Sequence, residues 1–286
     1  MIINARKISY IFSGVLVASS FLVLGVWGLK LGIDFTGGTL MEVEFKDSRP
    51  DINLPDVTIQ TAGERGLILR MPAIDEAKHQ TILAELRKYG ELEEKQFTSI
   101  GPTIGAELKK NSIYAIVLVM IMIALYIAWA FREVSRPVQS WKYGVAALIA
   151  LIHDVSIPAG FFALLGYFYG VAVDTLFVTA LLTILGFSVH DTIVVFDRIR
   201  ENLKKLGAKE NFENVVEQSL RQTIGRSINT SLTVMIVMLA LYFLGGLSTK
   251  FFALTILIGV FFGTYSSIFI ASFLLVTWHK WGLKRA

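Results

Sequence analysis

The sequence predicts an α-helical polytopic membrane protein, with six transmembrane helices and a small α+β extracytoplasmic domain between the first two. Of its 286 residues, 54% are hydrophobic and only 17% are charged, whereas soluble domains carry roughly 25% charged residues. Six stretches reach the roughly 20 apolar residues that a bilayer requires. One long acidic stretch separates the first from the second, and it predicts the external domain.

The six apolar stretches lie at about 10–29, 112–131, 143–165, 172–196, 229–246 and 251–278. The first follows two basic residues, as in a signal peptide, but its apolar run continues to Leu31, which is too long for a cleaved segment. We therefore expect the N-terminus and first helix at 1–31, the external domain at 32–110, and five further helices with the C-terminus at 111–286.

The distribution of charge predicts the orientation. Residues 34–108 hold 14 acidic and 8 basic residues, net −6, whereas the rest of the chain carries +10. One side of the predicted bundle collects basic residues such as Arg6, Lys7, Arg132, Lys142, Lys205, Arg221 and Lys280. The other side has the acidic domain with Lys30, Lys109, Lys110 and Lys250. Because basic loops stay in the cytoplasm, we expect both ends of the chain there.

The external domain has the pattern of a small sheet with one helix. Residues 39–45 alternate between apolar and polar side chains, which predicts a half-buried strand. Two further strand-like stretches, 57–61 and 67–71, flank a hairpin turn at 63–66. A helix is expected from Asp75 through Lys88, followed by another strand at about 92–99.

Several classes of function are disfavoured by what the sequence lacks. There are no cysteines, so disulfides, thiolate metal sites and thiol nucleophiles are excluded. Neither a nucleotide-binding glycine motif nor a nucleophile–base–orienter set is visible. Basic residues cluster at helix ends, which indicates topology and not nucleic-acid binding. We expect no enzyme, cofactor, metal or nucleic-acid partner.

Two His-Asp pairs lie inside apolar helices, where ionisable groups cost about 2.5–3.5 kcal/mol each and are candidate functional residues. The first pair is His153-Asp154, about 16 Å into the third helix, near the membrane midplane. Pro158 removes the helical hydrogen bond to the carbonyl group of Asp154, so a kink is expected there. A purely structural role for Asp154 is an equal alternative.

The second pair is His190-Asp191, in the fourth helix. A polar and small stripe at helical spacing borders it, formed by Thr179, Thr183, Gly186 and His190. Small residues allow helices to approach closely in lipid, so Asp191 is expected to face protein or water. Because a carboxyl group kept out of water binds a proton more readily, Asp191 is the leading candidate for proton coupling, with a structural role as the alternative.

The fifth helix carries a complementary polar face at its predicted start. Arg226, Asn229, Thr230 and Thr233 share one side of the helix. Arginine stays charged in proteins, so Arg226 could pair with ionised Asp191 and release it on protonation. The alternative is a basic anchor at the membrane edge.

Three motifs resemble the SecF family of the bacterial preprotein translocase. They are 32–39 (GIDFTGGT, with Asp34, Gly37 and Gly38), 101–105 (GPTIG) and 186–202 (GFSVHDTIVVFDRIREN). They occur in the family's order, and the resemblance covers essentially the whole chain.

The resemblance implies one six-helix half of a resistance–nodulation–division-like proton-conducting core in the bacterial inner membrane, with SecD as the other half. It implies use of the proton-motive force to promote late preprotein export, after SecA has acted at the SecYEG channel, alongside accessory proteins of the YajC and YidC types. It makes Asp191 the intramembrane acid and Arg226 its basic partner. Both H⁺ and Na⁺ fit as the coupling ion.

Two other functions stay open from the residues alone. One is half of a small-molecule or lipid exporter with the same architecture, although an external domain of this size leaves little room for a drug pocket. The other is a structural subunit whose acidic residues only hold helices together. The polar faces of helices three to five predict that a second six-helix partner packs against them, besides membrane lipid.

Overall fold

The structure, a computed structural model, describes residues 2–52, 54–132, 138–206 and 210–285. It has two compact units. The membrane unit comprises Met1–Leu29, Ala115–Val171 and Leu176–Ala286, and the outer unit comprises Lys30–Tyr114 and Ala172–Thr175.

The helices are α1 (Arg6–Val26), α2 (Ile33–Thr36), α3 (Glu76–Leu86), α4 (Pro102–Ala130), α5 (Ser140–Tyr169), α6 (Thr175–Leu206), α7 (Phe212–Leu244), α8 (Leu247–Ser266) and α9 (Ser272–Arg285). Within the described residues, six helical stretches are long and apolar enough to cross a membrane, and the last runs from α8 into α9. The predicted fold class is confirmed.

The core of the membrane unit is built on α5 and the last span. In the most apolar stretch of each of these two spans 56% of the residues are buried, against 6% in that of α4 and 11% in that of α7. An aromatic cluster closes one end of this core, where Tyr143 of α5 stacks on Phe131 at 5.3 Å and meets Phe196 of α6 edge-on at 5.1 Å. Because the apolar side chains of α1, of nearly all of α4 and of the second half of α7 are at least partly exposed, these segments face lipid or a partner.

A π-helical turn at Ser267–Ala271 joins α8 to α9 within the last span. Such turns arise where one extra residue is inserted into an α-helix, and they often occur at functional sites. Ser267 begins the turn, and its hydroxyl group donates to the backbone carbonyl of Ser188 in α6 at 3.1 Å. The turn therefore lies against α6, one helical turn from Asp191.

The fifth span begins earlier than the sequence predicts. Asn211 caps α7 by accepting a hydrogen bond from the backbone N–H of Glu213, and Val215, Val216 and Leu220 are buried behind it. Charged residues within 211–220 lower the hydropathy of this segment, so the hydropathy pattern did not predict that the helix starts here. Arg226 consequently lies well inside α7 and not at its opening, which corrects the expected position.

The outer unit is a four-stranded antiparallel sheet with α3 on one face. Its strands are β1 (Gly38–Phe45), β2 (Thr58–Ala62), β3 (Gly66–Met71) and β4 (Leu92–Ile100), in the order β2-β3-β1-β4. Alternate residues of β1 and β3 are buried together with Leu83 and Leu86 of α3. The predicted strands, hairpin and helix are confirmed to within a few residues.

A buried histidine ties α3 to β4 in this unit. His79 is only 5% exposed and stacks on Phe97 of β4, with ring centroids 3.7 Å apart. Its Nδ1 lies 3.2 Å from Glu76 and its Nε2 lies 2.8 Å from Glu94. Since carboxylates only accept hydrogen bonds, this arrangement favours the doubly protonated imidazolium.

Candidate functional site

Asp191 lies in the middle of α6 and is 2% exposed, although it is an acid in an apolar span. The hydroxyl group of Thr264 in α8 donates to its Oδ2 at 3.4 Å. The Ser227 hydroxyl of α7 is buried beside it. Asp191 thus faces protein, as its position beside the polar stripe predicts, and three helices converge on its carboxyl group.

Arg226 and His190, the other predicted members of this site, are both exposed on the membrane unit. Among the described residues, the Arg226 guanidinium forms no ion pair with Asp191 within 4.0 Å, so its charge acts on the carboxylate only through space. The predicted ion pair is absent from this arrangement of the helices.

The polar faces of α6 and α7 are open. Thr179, Thr183, Gly186 and His190 of α6 are exposed, and so are Arg226 and Asn229 of α7, with Thr230 half-buried. A Cβ atom added at Gly186 would meet nothing within 4 Å. Polar groups that face lipid are costly, so these faces require a polar partner or water.

Asp154 is fully buried in α5, and its carboxyl group has more side-chain partners within hydrogen-bonding distance than that of Asp191. Its Oδ2 accepts hydrogen bonds from Ser188 of α6 and from Ser266 of α8, the latter at 2.9 Å. His153 Nδ1 lies 2.9 Å from Oδ1. Three helices therefore meet at this carboxyl group too, through a different set of hydroxyl groups.

Pro158 lies inside α5, four residues after Asp154, so the carbonyl group of Asp154 lacks its helical hydrogen bond. His153 Nε2 is buried and has no hydrogen-bond partner within the described residues. Close by, Gly160 packs directly on Ser20 of α1, where any larger residue would clash.

The residues of α8 that join the two acids were missed by the sequence analysis. The Thr264 hydroxyl group donates to Asp191, and the Ser266 hydroxyl group donates to Asp154. Next to them, at the start of the π turn, Ser267 forms a hydrogen bond with Thr192 at 2.8 Å. Gly263 allows this close approach, because a Cβ atom there would lie 3.2 Å from Ser188 Cβ and 3.6 Å from Asp154 Oδ2. The available signal was the run of small and hydroxyl residues at 263–267 in an apolar helix.

The motif that contains Asp34 has a structural role within the outer unit. Asp34 Oδ2 accepts hydrogen bonds from the backbone N–H and the hydroxyl group of Thr175, at 2.8 Å and 2.6 Å. It therefore caps the N-terminus of α6, where a negative charge is favourable. Beside it, the Gly32 N–H donates to the Val173 carbonyl at 2.8 Å.

Gly37 and Gly38 adopt backbone conformations that glycine favours, with φ of 75° and 128°. A Cβ atom at Gly37 would lie 2.7 Å from Pro102 Cα, and one at Gly38 would lie 2.9 Å from the Met71 carbonyl oxygen. The first two recognised motifs, 32–39 and 101–105, thus pack on each other.

Within the described residues, no group of three or more His, Asp and Glu side chains could hold a metal ion. The acids buried in the middle of the apolar helices are Asp154 and Asp191, each with hydroxyl partners. Such carboxyl groups can bind and release protons and so change the charge inside the helix bundle.

Comparisons with known proteins agree with this architecture. A family described as "Protein export membrane protein SecD/SecF, C-terminal" matches residues 79–281, and one described as "SecD/SecF GG Motif" matches residues 23–48. The protein translocase subunit SecF of Thermobaculum terrenum is 45% identical, over 98% of this chain and 94% of the relative. That of Anaerolinea thermophila is 38% identical over the same shares.

The crystal structure of SecDF from Thermus thermophilus, described as a translocon-associated membrane protein, is similar with a TM-score of 0.80 and 33% identity. The match covers 97% of this chain and 38% of the longer one. Fold and comparisons together define a multi-pass membrane protein with an accessory role in the Sec translocase. The chain belongs to the SecF family of protein translocase subunits.

Proposed function

We propose that this chain works with SecD in the bacterial inner membrane and uses the proton-motive force to promote late preprotein export, after SecA has acted at the SecYEG channel. The observation that carries the proposal is Asp191, a carboxyl group buried in a membrane helix beside an open polar face. The fused SecDF relatives support SecD as the partner, and the matching family and relatives support the link to protein export.

The ends of the chain lie in the cytoplasm in this proposal, because the basic residues collect on their side of the bundle. The outer unit then faces the space into which preproteins emerge, where it can contact them. Accessory proteins of the YajC and YidC types act in the same process.

SecD packs against the polar faces of α6 and α7 in this proposal. Covering them places Arg226 in a medium of low dielectric, where an unpaired charge is costly. Asp191, on the adjacent helix, is the acid available to compensate it. Arg226 cannot release a proton, so the proton is taken up and released by Asp191.

Proton uptake neutralises Asp191 and removes its attraction for Arg226. Proton release restores the negative charge, which favours approach of α7 and a stronger hydrogen bond from Thr264. A cycle of protonation thus shifts the preferred spacing of α6, α7 and α8 within the membrane unit.

The test is the Asp191→Asn variant in inverted membrane vesicles that contain SecD, with completion of preprotein translocation measured with and without a proton gradient. We expect loss of the stimulation by the gradient. Asp197→Asn is the matched control, because Asp197 is exposed on the same helix and pairs only loosely with Arg200, at 3.9 Å. Undiminished stimulation in Asp191→Asn would remove the proposed role of this residue.

A further inference from the structure

An apolar groove of about 380 Å³ runs between α1 and α5 on the outside of the membrane unit, and Ile270 and Leu274 of the last span complete its lining. Gly14 forms its α1 wall, and Ile149 and Ile152, both more than a third exposed, form its α5 wall. His153 lies buried at its base. Since the groove lies within two membrane-spanning helices and opens outward, it faces the lipid.

Each wall of the groove continues to a lysine at the same end of the bundle. On α1, Lys7 lies two turns before Gly14, on the same side of the helix. On α5, Lys142 lies two turns before Ile149, again on the same side. The two helices run parallel and pack on each other, so both amino groups lie at the end of the groove near the chain's N-terminus.

These two lysines differ from the basic residues around them. Arg6 and Lys280 pair with Glu213, and Arg221 pairs with Glu217 at 2.9 Å. Among the residues that the structure describes, Lys7 and Lys142 form no ion pair. Lys142 lies only over the ring of Trp141, at 5.9 Å. Within the described residues, two positive charges without an ion-pair partner therefore lie beyond one end of an apolar, lipid-facing groove.

A second groove, between α1, α5 and α8, provides an internal comparison. It has about 370 Å³ and is lined by residues such as Leu16, Val23, Ile157 and Leu164. None of its lining residues is basic. Beyond it, Trp27 stacks on Tyr167 at 4.9 Å. The first groove has no lysine or arginine in its lining either, so size, apolarity and lining do not distinguish the two. They differ because a lysine continues the first groove on each of its two helices, Lys7 on α1 and Lys142 on α5.

We propose that the groove at Gly14 is a binding site for an anionic glycerophospholipid. One acyl chain lies between α1 and α5, and the phosphate group contacts Lys7 and Lys142. Basic residues at the membrane surface attract anionic lipids, and basic pockets between helices bind their headgroups. The bound acyl chain covers His153, so lipid occupancy also shields the Asp154 pair from water.

The test is native mass spectrometry of the purified full chain, titrated in detergent with phosphatidylglycerol or phosphatidylcholine of equal chain length. A lysine near an anionic lipid contributes about fivefold in affinity, or ~1 kcal/mol, so two give a preference of roughly 30-fold for phosphatidylglycerol. The K7Q/K142Q variant should lose this preference, and G14L should weaken the binding of both lipids by filling the groove.

Two controls separate this site from general effects. K109Q/K110Q removes the same charge from exposed lysines of α4 and should keep the preference. L164W fills the second groove and should leave phosphatidylglycerol binding unchanged. Equal binding of the two lipids by the unmodified chain would overturn the proposal. So would an equal loss in K109Q/K110Q, or a loss in L164W as large as that in G14L.

Discussion

The hydroxyl group of Ser266 in α8 donates a hydrogen bond to the Asp154 carboxylate of α5 over 2.9 Å, directly before the π turn of the last span. Replacing Ser266 with Ala leaves a buried acceptor with one partner fewer. We expect the free energy of unfolding to fall by about 1–3 kcal/mol, measured by reversible unfolding in mixed micelles.

Thr255→Val is the control for this experiment. Thr255 is equally buried in α8, but its hydroxyl group bonds only to the carbonyl of Phe251 within its own helix. Its replacement should change stability by less than about 1 kcal/mol. Equal effects of the two variants would show that Ser266 does no more than an ordinary helical hydroxyl group.

The open face of α6 predicts a site of partner binding. Gly186 is exposed and a Cβ atom added there meets nothing within 4 Å, so Gly186→Phe should leave the thermal stability of the isolated chain unchanged. The same side chain should obstruct SecD if SecD packs there. We expect co-purification with SecD from membranes to fall at least severalfold. Gly25→Phe, at a similarly open position of α1, should retain SecD, and retention by both variants would contradict the assignment of this face.

Asp34 is predicted to stabilise the start of α6. Asp34→Ala removes the acceptor of the Thr175 N–H and hydroxyl hydrogen bonds, which costs about 1 kcal/mol for a helix cap. Amide hydrogen exchange in the first turn of α6 should therefore accelerate about fivefold. Asp47→Ala, at an exposed position of the same unit, should leave this exchange unchanged. Unchanged exchange in Asp34→Ala as well would contradict the proposed role of Asp34 at the start of α6.

The His79 cluster predicts that the outer unit loosens as the pH rises. Burial lowers the pKa of His79, but the hydrogen bonds and charges of Glu76 and Glu94 raise it by more, so it stands above the ordinary 6.5. A pKa raised in the folded state stabilises the fold fully below pH 6.5 and loses this contribution as the pH passes the folded value.

Hydrogen exchange of α3 and β4 in the full chain should therefore accelerate between pH 6.5 and the folded pKa of His79, after correction for the intrinsic pH dependence of exchange. His79→Gln should flatten this profile. An unchanged profile in His79→Gln would show that another group titrates. The outer unit would then respond to pH independently of His79.

Much of the fold could be predicted because the signals are local. Apolar runs of membrane length predicted six spans, and alternation predicted β1 of the outer sheet. The start of α7 was missed because its first turns bury charged as well as apolar side chains. Glu217 is buried and accepts hydrogen bonds from the backbone N–H groups of Ile2 and Ile3, and half-buried Glu213 also lowers the hydropathy of this segment. The helical propensity of these residues and the burial of their side chains stabilise the first turns of α7, although the average hydropathy of the segment is low.

The site was less predictable, because its contacts join distant parts of the chain. Asp154 and Asp191 stand out in the sequence as acids in apolar helices. Ser266 and Thr264 do not, since hydroxyl groups are common in membrane helices and only the packing of α8 brings them to the acids. Likewise, nothing near Asp34 in the sequence indicates that it caps a helix at Thr175.

The measurement that tests the central claim most directly is proton flux into proteoliposomes that contain this chain with SecD, under an imposed proton gradient. If Asp191 carries the proton, Asp191→Asn should lower the flux at least tenfold while Asp197→Asn leaves it unchanged. Equal flux in the unmodified complex and in Asp191→Asn would contradict the account, because the proton would then cross without this carboxyl group.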